Sequence, residues 1–168
     1  LVELALADAL VAVRWLTPAP PMLIDVGAGP GLPGLPLALL VPAQPRVRLV
    51  EPRRLRVGFM ERACAALDLG ARGEAVKAKV HPGNYEAFRE PGALALARAV
   101  MPPAAWLRTA SHLADRALLF STPDVSFEPP EGCAQRDACT YALPVSGARR
   151  VLSLWSLPTE GRAAPTKH

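Results

Sequence analysis

Cysteine is scarce in this chain of 168 residues: Cys64, Cys133 and Cys139, with no Cys-x-x-Cys pair. An odd set without that spacing argues against both a disulfide framework and a structural zinc site, so the three read as buried or incidental thiols. Histidine is equally thin, and His81, His112 and His168 are scattered, each read as structural or exposed. No apolar run approaches the roughly 20 residues that a membrane helix needs; the longest, near Leu35 to Val41, lies among prolines. The opening stretch Leu1 to Leu16 carries Glu3, Asp8 and Arg14 through its apolar residues, unlike a leader with a basic head and an apolar body. A soluble, cytoplasmic protein without a membrane partner is expected. The chain opens on Leu1 and not on methionine, as a portion of a longer chain would.

What is present fits one domain of ordinary size. The net charge of +4 rests on basic residues that are nearly all arginine. That suits a polyanionic partner and equally reflects a bias toward Ala, Arg, Gly and Pro. Leu1 to Leu16 reads as an amphipathic helix, broken by the Pro18 to Pro21 cluster. A strand begins near Met22, and a short helix over Leu35 to Val41 tolerates Pro33 and Pro36 in or near its first turn. The spacing then predicts a strand over Val47 to Val50 and a helix over Arg53 to Leu67 with Leu55, Phe59, Ala63 and Leu67 on its apolar face. A third strand is expected over Glu74 to Val80, a helical turn at Asn84 to Phe88, and a fourth apolar segment over Ala93 to Val100. A helix over Ala104 to Leu113 and a strand over Ala117 to Ser121 come next.

This alternation predicts a parallel sheet covered on both faces. The rhythm then changes. Asp137 to Leu143 and Arg149 to Leu157 are separated only by Pro144-Val145-Ser146-Gly147, too short for a crossover helix, and form an antiparallel hairpin. The predicted organisation is an N-terminal helix and Pro-rich connector over 1–21, one domain over 22–157 and a flexible tail over 158–168, with no internal repeat.

The most informative segment is Leu23-Ile24-Asp25-Val26-Gly27-Ala28-Gly29-Pro30-Gly31-Leu32-Pro33-Gly34. A buried strand runs into a glycine-dense turn, where Gly27, Gly29 and Gly31 let the backbone take positive φ and approach a ligand with no Cβ in the way. The turn opens a helix whose free N–H groups face the same space. About 20 residues later, Val47 to Val50 ends in Glu51, the spacing at which a carboxylate meets a ribose diol. Alone, Glu51 reads first as a solvated strand end; together, turn and acid indicate a nucleoside cofactor. Gly29-x-Gly31-x-x-Gly34 also matches the dinucleotide fingerprint, so an NAD-binding oxidoreductase is an alternative. Pro33 and Pro36 around Gly34, and the want of a hydride-transfer acid, weigh against it.

Five strand–helix units followed by a hairpin resemble the Rossmann-like, seven-stranded, mostly parallel sheet of class I S-adenosylmethionine-dependent methyltransferases. The acid-first turn Asp25-x-Gly27-x-Gly29-x-Gly31 is similar to the cofactor motif of that class. More narrowly, Ile24 to Leu40 (IDVGAGPGLPGLPLALL), Leu49 to Met60 (LVEPRRLRVGFM) and the step Ala97-Arg98-Ala99 resemble the RsmG (GidB) family of 16S ribosomal RNA guanine-N7 methyltransferases. The resemblance implies S-adenosyl-L-methionine as cofactor, 16S rRNA or the small ribosomal subunit as partner, and methyl transfer to N7 of a guanine in the 530-loop region. By matching position, Gly27, Leu32, Val80, His81 and Arg98 would line the cofactor pocket with Asp25, Ala28, Gly29 and Gly31 of the turn, and Glu51 would meet the ribose. A monomer is expected.

No catalytic triad is needed for such chemistry, because guanine N7 already presents an unprotonated lone pair. Arg98, expected at the carboxyl end of the fourth strand, would hold either the cofactor carboxylate or an RNA phosphate, with a plain surface arginine as the alternative. Arg53, Arg54 and Arg56 crowd a helix start, where the macrodipole disfavours cations. They read either as phosphate contacts or as partners of Glu51 or Glu61. Family members usually carry a longer helical N-terminus, an acid where His81 stands, and Lys-Gly where this chain has Ser121 and Thr122. A cofactor-binding module that has lost rRNA methylation is therefore the second alternative.

Overall fold

A computed structural model describes residues 2–158. The tail expected to be flexible lies, from residue 159 on, outside the described residues. Seven strands form one sheet in the order β3-β2-β1-β4-β5-β7-β6: β1 (Met22–Val26), β2 (Arg46–Glu51), β3 (Gly73–Lys77), β4 (Leu94–Ala97), β5 (Arg116–Ser121), β6 (Ala134–Ala142) and β7 (Arg149–Ser156). The pairings β2–β3, β1–β2, β1–β4 and β4–β5 are parallel, while β7 runs antiparallel to both β5 and β6. The expected α/β sheet with a C-terminal antiparallel hairpin is what forms. No helix of the described residues is long and apolar enough to cross a membrane.

β1 and β4 are buried along their whole length, because helices cover both faces of the sheet. Alternate residues serve opposite faces. Leu23, Leu49, Leu94 and Leu96 join one core with Ala9, Ala12 and Trp15 from the first helical segment, Leu37 from α2 (Gly34–Leu40) and Met60 from α3 (Arg54–Ala66). Ile24, Val26, Val50, Ala95 and Ala97 join the other with Phe88 from α4 (Tyr85–Phe88) and Trp106, Leu107 and Ala110 from α5 (Pro103–Ser111). The chain winds outward from β1 to β3, then returns to β4 and winds the other way, so the strand order reverses between β1 and β4. Ligands of such sheets sit at the carboxyl ends of the strands at that reversal.

Three expectations need correction. The apolar face of α3 is not the stripe Leu55, Phe59, Ala63 and Leu67: Leu55 is 89% exposed, only Ala63 of the four packs partly against the core, and Val57, Met60 and Cys64 face it. Both stripes have helical spacing, and packing against the sheet settles the choice: Val57, Met60 and Cys64 join the core, while the Arg53 N–H donates to Glu51 Oε1 at 3.0 Å and ties the helix start to the end of β2. β3 stops at Lys77, opposite Glu51, rather than reaching Val80, since β2 ends there and Ala78 N turns back onto Val76 O. The fourth strand ends at Ala97, so Arg98 stands just past it.

The first segment is α1 (Val2–Ala12) followed by a 3-10 turn over Val13–Trp15. It is tied to the C-terminal hairpin at three heights. Glu3 Oε1 accepts from Val145 N and Ser146 N, Asp8 Oδ1 accepts from the Tyr141 hydroxyl, and Trp15 Nε1 donates to Asp137 Oδ2 at 2.7 Å.

Gly34, the first residue of α2, has no room for a side chain. A Cβ there would lie 2.7 Å from both Asp25 Oδ2 and Leu49 Cδ2, and Asp25 cannot retreat because it accepts the Gly34 N–H. Gly34→Ala is expected to destabilise the chain by about 1–3 kcal/mol, as overpacking does. Urea unfolding at constant pH measures it, and an unchanged midpoint would refute the crowding.

Candidate active site

Where the strand order reverses, the carboxyl ends of β1, β2 and β4 open onto a cleft of about 600 Å³. Val26 and Gly27 come from the end of β1, Val50 and Glu51 from β2, and Ala78 to Val80 from the loop after β3. Arg98 to Met101 form its wall beyond β4, and Arg53 and Arg56 stand at the start of α3. The first glycines bend as expected: φ is +71° at Gly27, +59° at Gly29 and +88° at Gly31. Gly27 N and Ala28 N both donate to Val50 O, at 2.8 and 3.1 Å, which locks the turn onto β2. At Gly27 a Cβ would approach Val100 Cγ2 to 2.5 Å, so the floor of the cleft is bare backbone by necessity.

Glu51 is only 3% exposed, yet it lines the cleft. Its Oε2 accepts from Gly29 N at 3.0 Å and its Oε1 from Arg53 N at 3.0 Å, while Arg56 Nη1 stands 3.5 Å from Oε2. A buried carboxylate is costly unless hydrogen-bonded, and two backbone amides meet that need. Of the arginines expected at the RNA, Arg53 and Arg56 line the cleft, and Arg56 also pairs with Glu51. Arg54 is exposed outside it.

Asp25 does not face the cleft. It is buried beneath the turn, with Oδ2 accepting from Gly34 N at 2.9 Å, and burial pushes its carboxyl up to about 7 against the opposing pull of that bond and of Arg98. Ala28, Gly29, Gly31 and Leu32 likewise build the turn instead of lining the cavity; Gly31 N and Leu32 N close it on Ala28 O. Val80 is in the wall, but His81 is not. The His81 side chain accepts from Gly83 N while the His81 backbone N–H donates to Asn84 Oδ1, which makes His81 a cap for the 3-10 turn over Pro82–Asn84.

Arg98 is where the sequence is most informative beyond the turn. Its guanidinium borders the cleft, lies 3.8 Å from Asp8 Oδ2, and has a buried Nη1 with no hydrogen-bond partner among the described residues. Burial raises Asp8 above its ordinary value, opposed by the Tyr141 hydroxyl, Arg98 and Arg150. Sequence reading missed Asp8 as a site residue; the available signal was an acid set directly beside Ala9 on the core face of an apolar helix. Ala99, with φ +54°, was also missed, and strain of that kind gathers at functional sites.

A family model, "rRNA small subunit methyltransferase G" (GidB), matches residues 1–120. The chain belongs to the rRNA small subunit methyltransferase G family. Ribosomal RNA small subunit methyltransferase G of Anaeromyxobacter dehalogenans is 34% identical over 164 residues, covering 92% of this chain and 74% of the relative. Its counterpart in Myxococcus xanthus is 33% identical over 159 residues, covering 89% and 71%. Among solved structures, TrmN from Thermus thermophilus superposes with a TM-score of 0.68 at 20% identity, over 89% of this chain and 48% of that one. Magnesium protoporphyrin IX methyltransferase (ChlM) from Synechocystis PCC 6803, with bound SAM, gives 0.63 at 16% identity, over 91% and 79%. These likenesses establish a class I methyltransferase fold.

The raised carboxyl of Asp25 has a sign that can be measured. Between its ordinary value of 3.8 and about 7 the folded chain holds a proton that the unfolded chain has released, so stability falls as pH rises through that window. Urea unfolding at pH 5 and pH 8 is expected to show the fall. Asp25→Asn, which keeps an acceptor for Gly34 N, flattens the profile. Identical slopes in both proteins would mean that Asp25 is ionised throughout.

Proposed function

We propose that this chain transfers the methyl group of S-adenosyl-L-methionine to N7 of a guanine in the 530-loop region of 16S ribosomal RNA. It acts as a monomer in the cytoplasm, on that RNA or on the small ribosomal subunit. The catalytic unit is the domain over 22–157, with 1–21 as an N-terminal helix and connector. The observation that carries this reading is the buried Glu51 carboxylate, fixed by Gly29 N and Arg53 N at the rim of a cleft whose floor, Gly27, has no Cβ. Family membership supplies the reaction class: the chain is an S-adenosylmethionine-dependent rRNA methyltransferase.

The donor set fits that cofactor. Glu51 Oε1 has a lone pair beyond the one that accepts Arg53 N, and Oε2 frees its second when the long 3.5 Å contact with Arg56 gives way, which together is what a ribose diol requires. Val26, Val50 and Val80 give an apolar wall for the adenine. The Arg98 guanidinium, which lines the cleft, suits the methionine carboxylate. Asp25, Ala28, Gly29, Gly31 and Leu32 act by shaping the turn.

S-adenosyl-L-methionine, held by Glu51 at the ribose and Arg98 at the carboxylate, would supply an electrophilic sulfonium methyl to guanine N7, the electron pair of the carbon–sulfur bond staying on sulfur. No side chain has to move a proton, because N7 attacks with a free lone pair. The chain's contribution is alignment, which is worth up to about 7–11 kcal/mol when reacting atoms are held near contact. Glu51 fixes the sugar, Gly27 lets the backbone close in, and Arg53, Arg54 and Arg56 draw RNA phosphates to the mouth of the cleft.

Glu51→Gln replaces one accepting oxygen with a donor that faces amide N–H groups. Its affinity for S-adenosylhomocysteine is expected to fall about 10- to 100-fold, the effect of losing a charged hydrogen bond; calorimetric titration reads it, and wild-type affinity in the variant would remove Glu51 from the site. The reaction itself is tested by incubating small subunits, or their naked RNA, with tritiated cofactor. The expected product is one labelled 7-methylguanine, reduced at least tenfold in Arg98→Ala. Cofactor binding with no label above that control would favour a module that has lost methylation.

A further inference from the structure

A second cavity, of about 330 Å³, lies on the far side of the segment Arg98 to Met101 and shares that segment with the cofactor cleft. Its volume is at the small end of ligand pockets. Apolar groups make most of its wall, with Met101, Leu119 and Phe120 offering faces on which a flat ring can lie. The charged groups lining it are Asp8 from α1, Arg98 after β4 and Arg150 from β7. Asp8 is 1% exposed, its Oδ1 is occupied by the Tyr141 hydroxyl, and its Oδ2 lies 3.8 Å from Arg98 Nη1, beyond hydrogen-bond length. That Nη1 is buried without a hydrogen-bond partner among the described residues. A carboxylate acceptor and a guanidinium donor thus stand side by side at the edge of an otherwise apolar pocket.

We propose that this cavity receives the target guanine, flipped out of the RNA, and that Asp8 and Arg98 read its edge. The proposal rests on the N7-methylation reading above and assigns its acceptor site. Around guanine the polar atoms run in the order N7, O6, N1–H, N2–H₂: nucleophile, acceptor, donor, donor. Arg98 donates to O6, and Asp8 accepts from N1–H and the amino group. Because Arg98 lines both cavities and Asp8 only the second, this pairing turns N7, the neighbour of O6, toward the shared wall and the cofactor. Adenine presents a donor where guanine has O6 and an acceptor where guanine has N1–H. It would therefore set an amino group against Arg98 and a lone pair against Asp8, leaving buried polar groups mismatched. Tyr141 and the α1–hairpin ties act as positioning groups that hold Asp8 in place.

The test uses small-subunit RNA in which the guanine labelled by the wild-type chain is replaced by inosine, which lacks only the 2-amino group, or by 2-aminopurine, which lacks O6 and N1–H. For wild type, inosine is expected to lower kcat/KM about tenfold and 2-aminopurine to abolish transfer. In Asp8→Ala, transfer to guanine falls, binding of S-adenosylhomocysteine is kept within about twofold, and the penalty for inosine disappears. Equal rates on guanine and inosine in the wild type overturn the proposal without any variant. An inosine penalty that persists in Asp8→Ala overturns the role of Asp8, leaving it a support for Arg98. Absence of label on unmodified RNA defeats the underlying reading, and this proposal with it.

Discussion

The carboxylate of Glu51 is the constraint on which the site is built. Two backbone amides from separate stretches of the chain, Gly29 N in the turn after β1 and Arg53 N at the start of α3, converge on its two oxygens at 3.0 Å each. One buried anion thereby joins the glycine turn, the end of β2 and the following helix. Its desolvation would be prohibitive if it were unpaired, so the turn must hold its shape for the fold to keep this acid inside. The Arg56 contact, at 3.5 Å with a half-exposed guanidinium, adds little beside the amides. An acid at a helix start also offsets the cost of placing Arg53, Arg54 and Arg56 in the first turn, about 0.3–1 kcal/mol each. Positive charge can then collect at the mouth of the cleft without unwinding α3.

Beneath the turn, a second acid has a different role. Asp25 looks from the sequence like a ligand contact, since it stands two residues before the first glycine. Its place on the core-facing side of β1, however, points it at the N-terminus of α2, where Gly34 N meets it. Turn residues without a direct place in the cleft still decide its shape: Asp25 fixes where α2 begins, Gly31 leaves space for Leu35 and Met60, and Gly27 alone presents bare backbone to the cavity.

Most of the sheet was legible because helices on both faces force its strands to be near-continuous apolar runs, and runs such as Leu94 to Ala97 or Ala117 to Phe120, short and bounded by turn signals, read as buried strands. The turn and Glu51 were legible because φ above zero and a spaced carboxylate leave a composition that few other structures need. The face of α3 was not, since Leu55, Phe59 and Leu67 carry as good a helical period as Val57, Met60 and Cys64. Only packing against the sheet, which the period does not record, distinguishes them. His81 could not be told from a pocket residue, because capping depends on Gly83 and Asn84 closing a 3-10 turn around it. The cluster of Asp8, Arg98, Tyr141 and Arg150 was beyond reach for another reason: Asp8 and Tyr141 lie 133 residues apart. No local period records a contact between the first helix and the last hairpin.

That long-range contact is a consequence of the chemistry. A reaction whose nucleophile arrives with a free lone pair asks for no general base, so residue types near the reacting atoms carry little signature. The chain has only position left to supply, and position at the boundary between two cavities requires a group that can serve both. A guanidinium suits this: it keeps its charge when buried and spreads five donors over a rigid plane, whereas an ammonium is a single point of charge. Arg98 can therefore face the cleft on one side and Asp8 on the other. Such a residue cannot be oriented by its own strand, which ends at Ala97. The orientation has to come from across the fold, and α1, tied to the hairpin at Glu3, Asp8 and Trp15, is the element that provides it.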